Sequence, residues 1–172
     1  MTISEQEELT LQIAVISDTH LPRGDRRLPD ACVEQLRAAD LILHAGDLMR
    51  LAVLRELESY GRVVAVHGNV DDGQVRAALP AVTSIDVEGL RIGLVHDAGP
   101  ARGRLARLRR RFPGADAVVF GHSHAPLHEQ LSDGFQIFNP GSPTERRSAP
   151  SHTMGIATVS GGRLTFELIV VG

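Results

Sequence analysis

LQIAVISD (residues 11–18), PDACVEQLRAAD (29–40) and LILHAGD (41–47) follow one another near the start of the chain. The first is a short apolar run rich in branched residues, the mark of a strand buried on both faces. The second carries apolar residues at helical spacing through Cys32, Val33, Leu36 and Ala39. The third is again an apolar strand. Strand, helix and strand in that order make a βαβ unit, which places the chain among α/β proteins.

Working outward, the pattern repeats. MRLAVLRELESYG (49–61) predicts a helix that Gly61 would close in a left-handed cap, RVVAVHGN (62–69) a third strand, and GQVRAALP (73–80) a short helix ending at Pro80. VTSIDVEG (82–89) and LRIGLVHD (90–97) read as adjacent strands joined by a tight turn at EGL. ARGRLARLRRRF (101–112) is then a basic helix and ADAVVFGH (115–122) a strand. PLHEQ, GFQIFNPG, TMGIATVSGG and RLTFELIVV are strands separated by Gly, Asp and Ser turn signals. Parallel units first and hairpins later predict an α/β fold of two packed mixed β-sheets flanked by helices. Residues 1–10 read as a polar N-terminal tail and 11–172 as a single domain, without internal repeat, low-complexity segment or linker.

Composition narrows the chemistry. With 172 residues, 42% of them hydrophobic, and a net charge of -3, the chain can bury a core and is not built for wholesale nucleic-acid binding. Cys32 is its only cysteine, which excludes an intramolecular disulfide and a thiolate metal cluster. No apolar stretch reaches the ~18 residues of a membrane span, and MTISEQEELT is acidic where a signal peptide is basic, so the expected location is the cytoplasm. All 18 basic residues are arginine, which rules out a lysine-dependent P-loop and Schiff-base chemistry. Histidine, aspartate and metal remain.

Ligands of open α/β sheets sit beyond the carboxyl ends of the strands. Here five predicted strands end on metal-competent residues: ISDTH, HAGD, VHGNVD, LVHD and FGHSH. Any one of these is an ordinary cap or turn, since Asp and Asn cap helices and Gly-Asp and Gly-Asn make turns. His122 and His124 alone are equally two surface neighbours or two ligands of a metal. Five such endings in strand-end register aim Asp, His and Asn at one rim.

Together DTH, GD, GNVD, VHD, GHSH and the later NPGS resemble the ordered blocks of the calcineurin-like metallophosphoesterases, most closely the small single-domain bacterial and archaeal phosphodiesterase branch. The likeness runs from about residue 11 to the end of the sequence. It implies a double β-sandwich flanked by helices, agreeing with the order of elements. It further implies that Asp18, His20, Asp47 and His124 hold one divalent metal, and that Asp47, Asn69, His96 and His122 hold a second, Asp47 bridging. Implied cofactors are two transition-metal ions, manganese first, with Fe, Zn, Ni or Co as alternatives. Against two divalent cations, Asp18 and Asp47 leave a formal surplus of about +2, which attracts a phosphate ester. A metal-bridging hydroxide would then attack in line, with no protein nucleophile.

Candidate catalytic residues are Asp47, Asn69, His67 and Asp71, and candidate substrate-binding residues Arg146, Arg147 and Asn69. In the protein phosphatase branch the asparagine motif continues with a histidine that protonates the leaving group; Val70 stands there and Asp71 follows, which favours activated substrates. His67 is the candidate substitute acid, or else a buried histidine of the strand. Asp97 follows His96 where the family more often has glycine. His44 is expected behind the rim, His128 and His152 on the surface, and Cys32 in helix core. In the basic helix, Leu105, Leu108 and Phe112 supply the inward face.

The expected function is phosphodiester hydrolysis on a small phosphodiester or nucleotide-like substrate, with no membrane partner. Nucleic acid is a lesser alternative, given the acidic total, and a homo-oligomer is left open. Phosphomonoester hydrolysis at the same site, or a non-catalytic scaffold with a vestigial metal site, are the competing functions.

Overall fold

The computed structural model describes residues 9–172; the polar tail read at 1–10 lies, but for Leu9 and Thr10, outside the described residues. Among the described residues ten strands and four helices follow in the expected order. β1 (Thr10–Ile16), β2 (Leu41–His44) and β3 (Val63–Ala65) are parallel, with α1 (Asp30–Ala38) and α2 (Leu51–Tyr60) as crossovers. α3 (Gly73–Ala78) starts where the Asp72 carboxylate accepts the Val75 N–H, a side-chain cap. β4 (Val82–Val87) and β5 (Leu90–Val95) form a hairpin through Glu88 and Gly89, both at positive φ (47° and 79°), the twist a two-residue turn requires. After α4 (Arg104–Arg111) come β6 (Ala117–Val119), β7 (Leu127–Gln130), β8 (Gln136–Asn139), β9 (Thr153–Ser160) and β10 (Arg163–Val170).

The strands form two mixed sheets, ordered β10-β9-β1-β2-β3 and β4-β5-β6-β8-β7. Side chains alternate across a strand, and along β1 both sets are buried. Ile13 and Val15 join Leu43, Ile92, Val119 and Phe138 in the core between the sheets. Ala14 and Ile16 join Cys32, Leu36 and Leu57 in a core under α1 and α2. A third core packs Leu108 of α4 and Phe112, just past its end, on Val118, Phe120 and Ile137. Two sheets face to face with helices outside are the layering the sequence predicts, and the continuous apolar run of β1 follows from its burial on both faces.

One local expectation fails. Gly61 has φ 170° and ψ -169°, fully extended, where a left-handed cap was expected. The chain leaves α2 directly in strand geometry, because the Arg62 carbonyl already accepts the Ile42 N–H as part of the β2–β3 pairing.

Candidate metal centre

Five strands of the two sheets run out at one rim. β1 leads into Asp18 and His20, β2 into Asp47, β3 into Asn69, β5 into His96, and β6 into His122 and His124. Asp18, His20, Asp47, His122 and His124 have φ of 56°, 45°, 62°, 70° and 58°. Non-glycine residues pay roughly 1–2 kcal/mol each for that left-handed conformation, so the surroundings must impose it. They do: Asp18 N–H and His20 N–H donate to the carbonyls of Gly46 and Asp47, and the Ser142 hydroxyl donates to the Asp18 carbonyl.

The side chains form two adjoining groups. In the first, Asp18 Oδ1 lies 3.4 Å from His124 Nε2 and 3.7 Å from His20 Nε2. All three atoms are buried without a hydrogen-bond partner. Buried polar atoms are almost always paired, so three orphans facing one another describe a socket for a cation. Asp18 Oδ2, by contrast, is occupied by the Ser17 hydroxyl and the His122 N–H. In the second group, Asn69 Oδ1 lies 3.0 Å from His96 Nε2 and 3.1 Å from His122 Nδ1, and Asp47 Oδ2 lies 3.1 Å from His96 Nε2. The same Asp47 oxygen is 3.6 Å from His20 Nε2, between the two groups. Imidazole nitrogens with carboxylate and amide oxygens suit first-row transition metals, so the residues present fit the ions that the family resemblance implied.

Outer contacts aim the rings. His96 Nδ1 donates to the Ala45 carbonyl and His124 Nδ1 to the Glu145 carbonyl, which turns each Nε2 lone pair toward the centre. Burial opposes the charge on Asp18, yet the imidazoles of His124 and His20 outweigh it and hold the carboxyl well below its usual range. Asp47 is likewise lowered against its burial, chiefly by His96; His96 is raised against its own burial, chiefly by Asp47. The wall differs from side to side: His20, His96 and His124 are buried, whereas Asn69 and His122 are exposed.

All seven expected ligands thus converge. The other candidates divide. Asp71 is buried with both carboxylate oxygens turned to backbone, accepting from the N–H groups of Asp47, Met49 and Gly68. It ties the Asp47 loop to the Asn69 loop. His67 is half-buried beside Asn69, and its Nδ1 lies 3.3 Å from the Gly68 carbonyl. Exposed Arg147 donates to the His122 carbonyl, at the open side of the centre. Arg146 instead donates to the Ala149 carbonyl and closes its own loop. His44 is fully buried behind the rim, and Asp97 accepts the Gly99 N–H, which keeps its turn intact with His96 in place.

Sequence reading missed Glu145. Its carboxylate pairs with Arg23 and Arg26 and approaches His20 Nδ1 at 3.6 Å, while its carbonyl holds His124. Burial raises the Glu145 pKa, but His20 and Arg26 dominate and lower it. The available signal was an acid three residues after the Ser142 that anchors Asp18.

The model of the calcineurin-like phosphoesterase superfamily domain matches residues 11–162. A probable metallophosphoesterase of Methanothermobacter thermautotrophicus is 37% identical over 162 residues, 93% of this chain and 92% of its own. A solution structure of a Thermotoga maritima protein superimposes with a TM-score of 0.74 at 30% identity, over 93% of this chain and 99% of that one. The fold is also that of wild-type Vps29 from Entamoeba histolytica, solved with zinc, at a TM-score of 0.70 and 21% identity over 94% and 100% of the chains. A metal-competent rim on two packed sheets and a family match along most of its length lead to one conclusion: the chain belongs to the calcineurin-like phosphoesterase superfamily.

Proposed function

We propose that the protein hydrolyses phosphodiester bonds with two divalent transition-metal ions, manganese foremost, one held by Asp18, His20, Asp47 and His124 and the other by Asp47, Asn69, His96 and His122. The observation that carries this is the trio of orphaned atoms on Asp18, His20 and His124, adjoined through Asp47 by a second donor group. Such ions, when bound, supply Lewis acidity to a phosphoryl group and make a water acidic at neutral pH.

The chain's own side chains do the rest. Exposed Asn69 and Arg147 stand where a phosphate would enter, and a guanidinium can meet two phosphate oxygens at once. His67 donates through Nδ1 to the Gly68 carbonyl, so as an imidazolium it still has its Nε2 proton to give to a departing oxygen. With Val70 after Asn69, a second proton donor is missing from that position, which favours diesters with good leaving groups over monoesters. Asp71 acts by holding two ligand loops together. The cytoplasm as place of work is part of the same proposal; among the described residues no helix is long and apolar enough to cross a membrane.

The test is hydrolysis of bis(p-nitrophenyl) phosphate by metal-stripped protein, with and without Mn, beside Asp47→Asn. Mn should restore activity, the variant should lose roughly 100-fold or more of it, and p-nitrophenyl phosphate should be the slower substrate. Folded protein that stays inactive with every divalent metal would refute phosphoester hydrolysis, and faster cleavage of the monoester would refute the diester preference.

A further inference from the structure

A groove of about 430 Å³ opens directly off the second donor group, and His67, Asn69, Arg76, His96, Asp97 and Arg111 are among its walls. Its size is that of a small-ligand site, larger than a scissile phosphate alone requires. Two guanidinium groups face it from different elements. Arg76, in α3, donates through Nε to the Asp71 carbonyl and through Nη2 to the Asn69 carbonyl, so its head is fixed beside a proposed ligand. The side chain of Arg111, the last residue of α4, has no hydrogen bond or ion pair among the described residues.

Of the other four arginines of α4, Arg110 likewise has no side-chain partner among the described residues but does not line the groove, and the remaining three are engaged. Arg104 lies over the Phe120 ring, Arg107 donates to the carbonyls of Ala98 and Pro100, and Arg109 pairs with Asp133 and lies over Phe135. Arg111 alone of the helix stands on the groove. Against the two guanidinium groups the groove lining sets one carboxylate, Asp97, whose Oδ1 accepts the Gly99 N–H. A positively charged recess that begins at the donor atoms and ends at an unpaired guanidinium calls for an anion a short distance from the reacting phosphate.

We propose that this groove is a second-phosphate subsite: the substrate class is a small nucleotide-like phosphodiester carrying a further phosphate, received by Arg111 with Arg76 as its fixed neighbour. The inference rests on the phosphodiesterase reading and specifies its substrate.

Two esters that differ by one phosphate test it: thymidine 5′-(p-nitrophenyl phosphate) and the same ester bearing a 3′-phosphate. The readout is the ratio of their kcat/KM values, bisphosphorylated over monophosphorylated, in Mn-loaded wild type, Arg111→Ala and Arg110→Ala. Arg110 neighbours Arg111 but does not line the groove, so its removal controls for net charge. The ratio should exceed one in the wild type and fall about tenfold in Arg111→Ala, the loss expected for one charged hydrogen-bonded contact, while Arg110→Ala keeps it. Binding of thymidine 3′,5′-bisphosphate to metal-stripped protein, followed by calorimetry, should weaken in parallel. A ratio of one or less in the wild type, an unchanged ratio in Arg111→Ala, or an equal fall in Arg110→Ala overturns the subsite. Should neither ester be cleaved, the diesterase reading fails, and the calorimetric comparison alone decides the groove: equal affinity in wild type and Arg111→Ala removes it.

Discussion

The imidazole of His44 is wholly buried, and its two neighbours fix its protonation. Gly46 N–H donates to Nδ1, so Nε2 carries the proton and donates to the Thr19 hydroxyl, leaving a neutral ring. Burial is the main reason its pKa is pushed down to about 4. An unfolded chain protonates such a ring near pH 6.5, so between about 6.5 and about 4 the unfolded state holds the extra proton. Stability is therefore full above that window and falls as pH drops through it, by about 1.4 kcal/mol per unit. Urea titrations of metal-stripped wild type and His44→Gln at pH 7 and pH 5 check this, with a steeper loss expected in the wild type; equal losses would refute it. At this scale the convergence of the candidate ligands was legible in the sequence, because Asp, His and Asn recur at five strand ends, while their assignment to two ions came from the family resemblance. The partners were not. Asp71 differs from Asp47 only in which way its carboxylate turns, and Arg146 from Arg147 only in which carbonyl lies within reach, and both depend on chain that is distant in sequence.

Between elements, the closest approach at the rim is made by Gly121, where the end of β6 meets the end of β1. A Cβ there would collide with the Ser17 hydroxyl and with Asp18 Oδ2. Gly121→Ala must move Asp18, and Mn affinity measured by titration should drop roughly 10–100-fold, the range for disturbing the support of a metal ligand. Wild-type affinity would show that the loop accommodates the methyl group. Strands and helices were legible because their hydrophobic periods differ, two against 3.6, and because Gly, Pro and Asp punctuate them. The exit of α2 was not, since the conformation of Gly61 is set by β2–β3 pairing and not by the helix that it ends.

The whole molecule carries the centre across its two layers. Asp18, His20, Asp47 and Asn69 follow strands of one sheet, while His96, His122 and His124 follow strands of the other. Ions bound there would link the sheets and stabilise only the folded state. At a hundred times the dissociation constant the gain is about 2.7 kcal/mol, or very roughly 5–10 °C for a chain of this size. Calorimetric scans with Mn and with a chelator should differ by that amount, and coincident scans would mean that the two halves of the centre are not joined by metal. The layering was legible from the order of parallel and hairpin strands, but not which late strand would lie beside β1. Thr10 in fact stands opposite Ser160, 150 residues away, and β9 fills the side of β1 that β2 leaves open. Synthesis runs from the amino end, so the nascent chain carries one bare edge of its central strand, the backbone of Thr10 to Val15 unpaired on that side, until β9 leaves the ribosome. Until then that edge is a template for pairing with a strand of a second chain.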